Sequence, residues 1–590
     1  MPGLQQKLYP VAGAQDLRHP LCGDAALADA TGWFLIPQEY RVIGPPGAGK
    51  TTWVKTQVEK WVGETYEPED FLLTSFTRAA AVELAGRIDV PRRSVGTLHS
   101  VCYHGLERPP IAEAGALMKE WNSQQIPPAW RIGTPAASLE DGLMDQEVGS
   151  MMGRYSVARA ACLPAEHPSW ELTRPFAEQW DAFKKDTESV DFTDLLTRGC
   201  DELPAAPGDP KVLMIDEAQD LTPLQWRLVR QWAVGVERFI VVGDPAQCLY
   251  AFTGATPSEL LHPLKDGRER LLGTNLTYRM PRAVHQYAER WLRSHSAPMC
   301  EGRTYAPRDA EGRVRHIGAT WKAGEGLPGP WEVLDEVTRN AAEGRTSMVL
   351  ASCAFMLKPL LMELRASGVP FHNPYRLTNG LWNPLGQARR GATSILDRVL
   401  AFVRPSPIYS GNTARNWTWG DISRWASILQ AKGPDSVFAA HGVRARLTAN
   451  AGDASRSRQT VRLTEDLEPL FKPEAMDALR ELDLNWYRRS VLAKYGSGIE
   501  FIIRVLQRNG PEALREKPRI IVGTGHSVKG GEADHVYIFP DLSTNAWRDQ
   551  LEGGTDGLDA MIRLGYVMMT RAREELVLAQ ATIPHLTMYL

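Results

Sequence analysis

Short apolar runs recur along the chain, separated by segments whose apolar residues repeat at helical spacing. Each run is bounded by polar or turn-forming residues: Tyr40–Ile43, Phe71–Leu73, Ser94–Cys102, Val212–Ile215, Phe239–Val242, Met348–Ala351, Val369–His372, Ile520–Val522 and Val536–Phe539. Such runs predict short strands, and the most apolar of them predict strands buried on both faces of a parallel sheet. The alternation of these strands with helical segments predicts an α/β fold.

Helical spacing is clearest in two segments. After the first run, apolar side chains recur every three or four residues, at Trp53, Val54, Val58, Trp61 and Val62. A second series follows Pro281, at Val284, Tyr287, Ala288, Trp291 and Leu292. This periodicity predicts two amphipathic helices, and proline is favoured in the first turn of a helix.

Two long stretches interrupt the alternation of strands and helices. Residues 105–188 contain helical pieces that are broken at Pro109–Pro110, Pro127–Pro128 and Pro164. Residues 378–500 are rich in tryptophan, irregular and mainly helical in pattern. The chain therefore has the order sheet, insert, sheet, and then the same order again. This organisation predicts two α/β units, each interrupted by an inserted helical subdomain.

The run Tyr40–Ile43 leads directly into a glycine-rich octapeptide. It consists of Gly44, Pro45, Pro46, Gly47, Ala48, Gly49, Lys50 and Thr51, and Thr52 follows it. Glycines let backbone N–H groups surround phosphate oxygens, and the helix that follows places its positive dipole end on the anion. Lys50 would reach the β- and γ-phosphates, and the Thr51 hydroxyl would ligate Mg²⁺. The sequence therefore predicts a nucleotide site at this turn.

An acidic pair follows the run Val212–Ile215. Asp216 and Glu217 would lie at the carboxyl end of a buried strand, which is where α/β sheets bind their ligands. Asp216 could hold Mg²⁺ through its water shell, and Glu217 could polarise the attacking water as a general base. An acidic loop after a core strand is the alternative, but the upstream octapeptide favours the catalytic interpretation.

The segment after Phe239–Val242 contains an amide and two aromatic rings. Gln247 could sense the γ-phosphate by a hydrogen bond, and Tyr250 and Phe252 offer faces for stacking. The net charge of −3 does not indicate a nucleic-acid-binding protein. It does not exclude one, because base stacking in a local groove can hold a single strand.

Length and composition limit the class of protein. A chain of 590 residues is expected to form three or four domains. Its seven cysteines are odd in number and never closely paired, which argues against zinc, an iron–sulfur cluster or a disulfide framework. This usage indicates a reducing cytoplasm. The sequence has no apolar run of 18 residues and no apolar segment near its start, so neither a membrane span nor secretion is expected.

Six motifs follow one another along the chain: Gly44–Thr51, Asp216–Asp220, Gly243–Ala255, Asn275–Pro281, His526–Glu532 and Tyr566–Arg573. This order resembles superfamily 1 helicases of the UvrD/Rep/PcrA type over most of residues 40–590. The resemblance implies two RecA-like P-loop NTPase domains, each a parallel sheet flanked by helices with an inserted, mainly helical subdomain. It also implies that ATP and Mg²⁺ bind in the cleft between the two domains.

The same resemblance implies the domain boundaries. The first RecA-like domain (1A) would comprise residues 1–104 and 190–275, and the inserted subdomain 1B residues 105–189. The second RecA-like domain (2A) would comprise residues 276–377 and 500–590, and the inserted subdomain 2B residues 378–499.

The resemblance assigns further roles in the nucleotide cleft. Gln247 is similar to the glutamine that senses the γ-phosphate, and Tyr278 to the tyrosine that stacks on adenine. Arg279 and Arg571 resemble two arginines of the second domain that stabilise charge on the transferring phosphoryl group. Glu532 resembles the residue that contacts the nucleotide sugar.

A second set of positions resembles the residues that line the family's single-stranded DNA track: Phe76, Thr97, His99, Phe252 and His526, beside the ring of Tyr250. Stacking there would contribute about 1–3 kcal/mol per base without sequence preference. The segments Asp191–Leu196 and His526–Gly530 resemble the 3′→5′ branch more than the RecD/Dda branch, which moves 5′→3′. Single-stranded and tailed duplex DNA are therefore the expected substrates.

The chain departs from the family pattern at several positions. Thr253 replaces the arginine of the third motif, Thr277 replaces an asparagine, and Gly531 replaces a leucine. No glutamine motif precedes the octapeptide at the usual separation, because Gln38 lies only 12 residues before Lys50. Other nucleoside triphosphates therefore remain alternatives to ATP.

The predicted function is that of a cytoplasmic, ATP-dependent DNA helicase that moves 3′→5′ on single strands and separates duplexes in replication, repair or recombination. One alternative is a translocase that strips proteins from DNA with little unwinding. Another is the motor of a helicase–nuclease, whose nuclease would be a partner subunit because the sequence ends soon after Arg573. A protein loading partner would also be compatible with this function. A small-molecule kinase would need no strand-lining aromatics, and RNA is an alternative track because stacking does not discriminate sugars.

Overall fold

The computed structural model describes residues 39–75, 81, 85–86, 88–124, 126–133, 150–264, 268–272, 276–295, 297–300, 303–376, 380–386, 393–449, 454–544, 546–548 and 554–588. Within these ranges the protein contains two parallel β-sheets and a short antiparallel hairpin. No helix in the same ranges is long and apolar enough to cross a membrane.

The first sheet has the strand order β3-β2-β4-β5-β1-β6, and all of its pairings are parallel. The strands are β1 (Tyr40–Ile43), β2 (Phe71–Ser75), β3 (Val95–Gly96), β4 (Val212–Asp216), β5 (Arg238–Gly243) and β6 (Glu269–Leu271). Strands β2 and β4 are buried throughout, because helices cover both faces of a parallel sheet. The structure therefore confirms the strands that the apolar runs predict at β1, β2, β4 and β5.

The second sheet has the order β11-β10-β12-β13-β7 and is also parallel. Its strands are β7 (Arg313–His316), β10 (Ser347–Ala351), β11 (Ile520–Thr524), β12 (Ala533–Phe539) and β13 (Ala572–Leu578). Strands β8 (Ala323–Gly324) and β9 (Leu327–Pro328) form the hairpin. Strand β10 pairs with β11 across a long excursion of the chain, so an insert separates two neighbouring strands of one sheet.

One predicted strand is shorter than expected and another is wrong. The run Ser94–Cys102 forms the short strand β3 but extends over only two residues, because the Thr97 hydroxyl accepts the backbone N–H of Ser100 at 3.2 Å and starts a helix. The run Val369–His372 makes only an isolated bridge to Ile521. Conversely, no apolar run predicts the edge strands β6 and β7, because charged residues occupy these edges.

The helices of the described residues begin and end as follows: α1 (Lys50–Glu64), α2 (Leu98–Gly105), α3 (Gly115–Ser123), α4 (Met151–Ala160), α5 (Pro168–Asp186), α6 (Phe192–Glu202), α7 (Pro223–Ala233), α8 (Ser258–Leu261), α9 (Arg282–His295), α10 (Ala297–Cys300), α11 (Trp331–Ala342), α12 (Lys358–Ala366), α13 (Ile395–Phe402), α14 (Pro407–Ser410), α15 (Trp419–Ala426), α16 (Val443–Ala449), α17 (Ala454–Ser457), α18 (Pro473–Glu481), α19 (Leu484–Ser490), α20 (Ala493–Asn509) and α21 (Gly554–Met569). Helices α1 and α9 confirm the two predicted from helical spacing.

Each sheet carries a helical insert with an aromatic core. Helices α3 to α5 lie between β3 and β4, and Trp121 packs on Trp180 there with ring centroids 4.9 Å apart. Helices α13 to α20 lie between β10 and β11, and Phe402 stacks on Tyr487 at 4.2 Å. The architecture confirms the predicted class of two RecA-like domains, each with an inserted, mainly helical subdomain.

A buried ion network ties the first insert to helix α6. Asp191, the N-cap of α6, is fully buried and accepts hydrogen bonds from Arg159 and Lys184 at 2.8 Å each. Asp194 accepts a hydrogen bond from Lys184 at 2.6 Å and pairs with Arg159 as well. Because Arg159 lies on α4 and Lys184 on α5, the network fixes two helices of the insert against the first domain.

Glu113 is a third carboxyl group beside these two cations. It is buried and accepts the backbone N–H of Phe192 at 2.7 Å. Burial and the charge of Asp191 raise the pKa of Glu113 to about 8. Three carboxyl groups thus share two cations, and Glu113 is the one that stays protonated at neutral pH.

Replacing Glu113 by glutamine is expected to remove a pH-dependent loss of stability. Unfolded Glu113 gives up its proton near pH 4.5, whereas the folded group keeps it to about pH 8. The contribution of protonated Glu113 to stability is therefore full below pH 4.5 and declines until pH 8, by up to about 5 kcal/mol. Thermal unfolding should give E113Q a higher melting temperature than wild type at pH 8.5. The two melting temperatures should agree at pH 5. An equal difference at both pH values would contradict the assignment, and the exposed Glu120→Gln on α3 is the control.

Candidate active site and nucleic-acid surface

The octapeptide adopts a strand–turn–helix geometry between β1 and α1. Gly47 and Gly49 have φ angles of 76° and 81°, in the left-handed region that disfavours residues with a β-carbon. A β-carbon at Gly47 would also lie 2.5 Å from the Cβ atom of Arg279. Glycine is therefore required both for the turn and for its contact with the segment that follows β6.

Lys50 is the first residue of α1, and its side chain is buried. Its ammonium group donates a hydrogen bond to the carbonyl oxygen of Gly44 at 3.0 Å. The other two N–H donors of the ammonium group suit a phosphate oxygen, and α1 directs its positive dipole end to the same place. The turn thus has the donors and the field that an anion needs.

The acidic pair at the end of β4 combines two different carboxyl groups. Burial and the charge of Glu217 raise the pKa of Asp216 to about 7, although Asp216 Oδ1 accepts the backbone N–H of Glu217 at 2.9 Å. Glu217 has a φ of 56° and accepts a hydrogen bond from the Gln219 side chain. Burial opposes its charge, but Lys529 and Lys50 lower the pKa of Glu217 to about 2. Glu217 is therefore ionised at neutral pH, as a general base must be.

Arg571 reaches the first domain from the turn between α21 and β13, and it is 1% exposed. Its guanidinium donates to Gln247 Oε1 at 3.2 Å and to the carbonyl oxygens of Gly531 and Val567 at 3.3 and 2.8 Å. Burial lowers the pKa of Arg571 to about 9, and the charge of Arg279 adds to this effect. A buried cation whose hydrogen-bond partners in the described residues are neutral oxygens is suited to receive an anion.

Tyr278 and Arg279 lie against the glycine-rich turn. The backbone N–H of Tyr278 donates to the carbonyl oxygen of Gly47 at 3.0 Å, and the Tyr278 side chain is 61% exposed. Arg279 donates to Glu532 at 2.9 Å, and Arg573 donates to the same carboxylate at 2.6 Å. Tyr278 therefore presents a ring to a base, whereas Glu532 is held by two arginines.

Two departures from the family pattern have local explanations. Thr277 is fully buried, and its hydroxyl donates to the carbonyl oxygen of Pro46 at 2.6 Å, which ties the second domain to the turn. Gly531 packs against the ring of Tyr375, and a β-carbon at this position would overlap the Tyr375 oxygen. A leucine at position 531 would therefore require Tyr375 to move.

A cleft of about 840 Å³ lies between the two domains, within the usual size range of small-molecule sites. The predicted residues that line it are Gly47, Ala48, Gly49, Lys50, Thr51, Thr52, Glu217, Gln247, Arg279, Glu532 and Arg571. Its wall thus combines the phosphate-binding turn of one domain with the arginines of the other. Buried Arg571 and the Lys50 donors that no described residue accepts fit the negative charge of a nucleoside triphosphate.

The same cleft has donors that suit Mg²⁺. Thr51 lines it, and Asp216 adjoins Glu217. Among the residues that the structure describes, no group of three or more His, Cys, Asp or Glu side chains could hold a metal ion. Mg²⁺ is usually bound by one or two carboxylates with water and substrate phosphates, so Thr51 and Asp216 fit a metal that arrives with the nucleotide.

Three rings meet where the loops of the two sheets face each other, and we refer to Tyr250, Phe252 and His526 as the ring cluster. Phe252 lies 5.5 Å from His526 and 6.0 Å from Tyr250 between ring centroids. Tyr250 is 1% exposed, so it supports the other two rings and offers no face to a base, unlike the expectation from sequence. Phe252 and His526 are half-buried, and burial lowers the pKa of His526 to about 4, which leaves its ring neutral.

The remaining predicted DNA contacts lie at the start of α2 or outside the described residues. Thr97 caps α2, and the ring of His99 packs edge-on against Phe192 at 6.3 Å. Both residues are half-buried, and burial lowers the pKa of His99 to about 4. Phe76 and most of the predicted helix 79–88 lie outside the described residues.

Sequence reasoning missed a contact between the two domains. Lys529, between β11 and β12, donates a hydrogen bond to Asp220 and lies 3.5 Å from Glu217 Oε2. The sequence places these residues in two of the six motifs. It contains no local pattern that indicates a contact between the two motifs.

The fold and the cleft define a P-loop NTPase built from two RecA-like domains. A protein-family profile described as an AAA domain matches residues 35–253. UvrD2 of Mycobacterium tuberculosis, an ATP-dependent DNA helicase, is 28% identical over 363 residues, which cover 56% of this chain and 48% of UvrD2. YjcD of Bacillus subtilis is 26% identical over 253 residues, which cover 38% of this chain and 32% of YjcD.

The RecBCD subunit RecB of Mycolicibacterium smegmatis is 33% identical over 102 residues, which cover 16% of this chain and 9% of RecB. The matches to all three relatives thus cover less than half of each relative's length. Together with the family profile, they confirm the resemblance of this chain to UvrD/Rep-like superfamily 1 helicases.

Proposed function

We propose that this protein is an ATP-dependent DNA helicase that moves 3′→5′ along single-stranded DNA and separates duplexes. The observation that carries the proposal is the cleft, because it brings Lys50 and Glu217 of one domain together with Arg279 and Arg571 of the other. Similarity to relatives named as ATP-dependent DNA helicases supports the choice of ATP and DNA.

Each side chain of the cleft has a distinct task in this proposal. Lys50 and the N–H groups of the turn bind the β- and γ-phosphates, and ionised Glu217 accepts a proton from the attacking water. Arg279 and Arg571 stabilise the charge that develops on the transferring phosphoryl group. Mg²⁺, held by Thr51 and Asp216, would neutralise part of the phosphate charge.

Hydrolysis would drive movement because the two domains share the phosphates. Arg279 and Arg571 hold the γ-phosphate in the closed cleft, and these contacts weaken once the phosphate is released. Gln247 accepts a hydrogen bond from Arg571 and donates one to Asp244 at 2.7 Å, so it lies where the γ-phosphate would be sensed. If the domains alternate their grip on the strand as they open and close, each cycle becomes a step.

The strand would lie across the half-buried rings of Phe252 and His526 and the start of α2 at Thr97 and His99. Neutral rings suit sequence-independent stacking on bases, as single-strand binding requires. Phe252 belongs to the first domain and His526 to the second, so one bound strand would contact both moving parts.

The test is ATP-driven strand displacement on two matched duplexes, one with a 3′ and one with a 5′ single-stranded tail. The wild-type protein is expected to open only the 3′-tailed duplex, and Lys50→Ala, which loses the phosphate contact, is expected to open neither. Opening of the 5′-tailed duplex alone would overturn the polarity. DNA-stimulated hydrolysis without opening of either duplex would overturn unwinding.

A second candidate is the motor subunit of a helicase–nuclease complex with little unwinding of its own. The similarity to RecB favours it, although that match covers only 16% of this chain. A nuclease that co-purifies with the tagged protein and restores unwinding to an inactive preparation would support this candidate.

A further inference from the structure

Tyr375 lines the cleft between the two domains, although it belongs to none of the six motifs. It follows the isolated bridge between His372 and Ile521 and comes just before the second insert. Its side chain is half-buried, and it shares the wall of the cleft with Lys50 and Arg571. The fold thus places a tyrosine side chain in this cleft that no sequence pattern indicates.

Buried Asn373 holds the backbone from which the Tyr375 side chain projects. Asn373 Oδ1 accepts the backbone N–H of Tyr375 at 3.1 Å. The Asn373 amide in turn donates to the carbonyl oxygen of Val522 on β11 and to the hydroxyl of Ser527, both at 3.1 Å. The ring of Tyr375 packs against the hydrophobic cluster that contains Val528. The second domain therefore holds this tyrosine in place before any ligand binds.

Gly531 provides the space for the Tyr375 hydroxyl. A β-carbon at position 531 would overlap the Tyr375 oxygen and would lie 2.6 Å from Tyr375 Cζ, closer than atoms can pack. Gly531 is also the position at which this chain departs from the leucine of the family pattern. The absence of a side chain at position 531 and the presence of tyrosine at position 375 are therefore complementary, because the hydroxyl occupies the space that a side chain at position 531 would need.

The Tyr375 hydroxyl lies close to Arg571. The carbonyl oxygen of Gly531 accepts a hydrogen bond from Arg571 at 3.3 Å, so the hydroxyl and the guanidinium group border the same residue. Burial lowers the pKa of Arg571, and Tyr375 is close enough that a charge on its oxygen would act in the opposite direction. A terminal phosphate that binds Arg571 would therefore meet the Tyr375 hydroxyl in the same part of the cleft.

We propose that Tyr375 is a further ligand of the nucleotide, whose hydroxyl donates a hydrogen bond to the terminal phosphate beside Arg571. This inference rests on the proposed function, because it requires a nucleoside triphosphate in the cleft. A phenol has one O–H donor, and a hydrogen bond to a charged acceptor is stronger than one between neutral groups. Because ADP lacks the γ-phosphate, the contact should favour binding of ATP over binding of ADP.

The experiment measures the affinity of Tyr375→Phe in the full chain for two probes, the non-hydrolysable analogue AMP-PNP and ADP, each with Mg²⁺, by titration calorimetry. The substitution removes only the hydroxyl and keeps the packed ring. Affinity for AMP-PNP is expected to fall about 10–100-fold, the scale of one hydrogen bond to a charged group, and affinity for ADP to stay within about twofold of wild type. Tyr495→Phe is the matched control, because Tyr495 is also half-buried but lies on α20 of the second insert, and it should bind both probes as wild type does.

A double variant tests whether positions 375 and 531 share one space. Gly531→Leu is expected to lower the melting temperature strongly in the wild-type background and much less in Tyr375→Ala, because the leucine would fill the space that the ring leaves. An equal loss of melting temperature in both backgrounds would overturn the packing on which the inference depends.

The binding measurements separate the inference from the proposed function. Wild-type affinity of Tyr375→Phe for both probes, or equal losses of affinity for AMP-PNP and ADP, would overturn the inference. A wild-type protein that binds neither probe would instead overturn the proposed function.

Discussion

Replacing Arg571 by alanine is expected to lower kcat for ATP hydrolysis by about 10³–10⁵-fold, the effect of removing an arginine that stabilises the transferring phosphoryl group. Arg571 is buried in the wall of the cleft, and its partners in the described residues are neutral oxygens. Its charge is therefore available to the γ-phosphate. Because Arg571 belongs to the second domain, the loss would show that hydrolysis needs both domains.

The measurement is steady-state hydrolysis with saturating single-stranded DNA, accompanied by thermal unfolding. Arg313→Ala is the control, because Arg313 lies on the edge strand β7 and its side chain is 71% exposed. Arg571→Lys, which keeps the charge but lacks the planar group, should retain the fold and recover little activity. Near-normal hydrolysis by Arg571→Ala would contradict the proposed cleft.

Glu217→Gln is expected to lower hydrolysis by about 10²–10⁴-fold while ATP still binds. The glutamine amide keeps the shape of the side chain and can still accept a hydrogen bond from Gln219, but it cannot take the proton of the attacking water. Lys50 and the glycine-rich turn, to which we assign phosphate binding, are unchanged. The variant should therefore accumulate as an ATP-bound form.

Single-turnover hydrolysis and binding of a fluorescent ATP analogue separate these two effects. The exposed Glu202→Gln on α6 should behave as wild type in both measurements. A parallel loss of binding and hydrolysis would place Glu217 among the residues that hold the nucleotide and would contradict its role as a base.

Much of the fold could be predicted because its strongest signals are local. The runs Val212–Ile215 in β4 and Phe239–Val242 in β5 are apolar over their whole length, as expected for strands covered on both faces. The prediction of strands failed where the local pattern of apolar residues does not match the strand pairing. Val369–His372 is apolar enough for a strand but makes only one bridge, and the charged edge strands β6 and β7 lack an apolar pattern.

The glycine-rich turn could be predicted from the sequence, whereas the exposure of the aromatic rings could not. The turn Gly44–Thr51 depends on backbone angles and on the helix that follows, and both are encoded within about a dozen residues. Exposure was not predictable, because it depends on what packs on a side chain from elsewhere. Tyr250 and Phe252 are two residues apart in similar sequence surroundings, yet only the ring of Phe252 is accessible.

The sequence by itself determined the nucleotide-binding turn, the acidic pair at the end of a strand and the succession of two sheets with inserts, because neighbours along the chain impose these features. Only the tertiary structure decided which distant groups meet. Arg571 and Gln247 are 324 positions apart, and Lys529 and Asp220 are 309 apart. Such contacts form because loops from two separate sheets meet across a cleft, and no local pattern records that meeting.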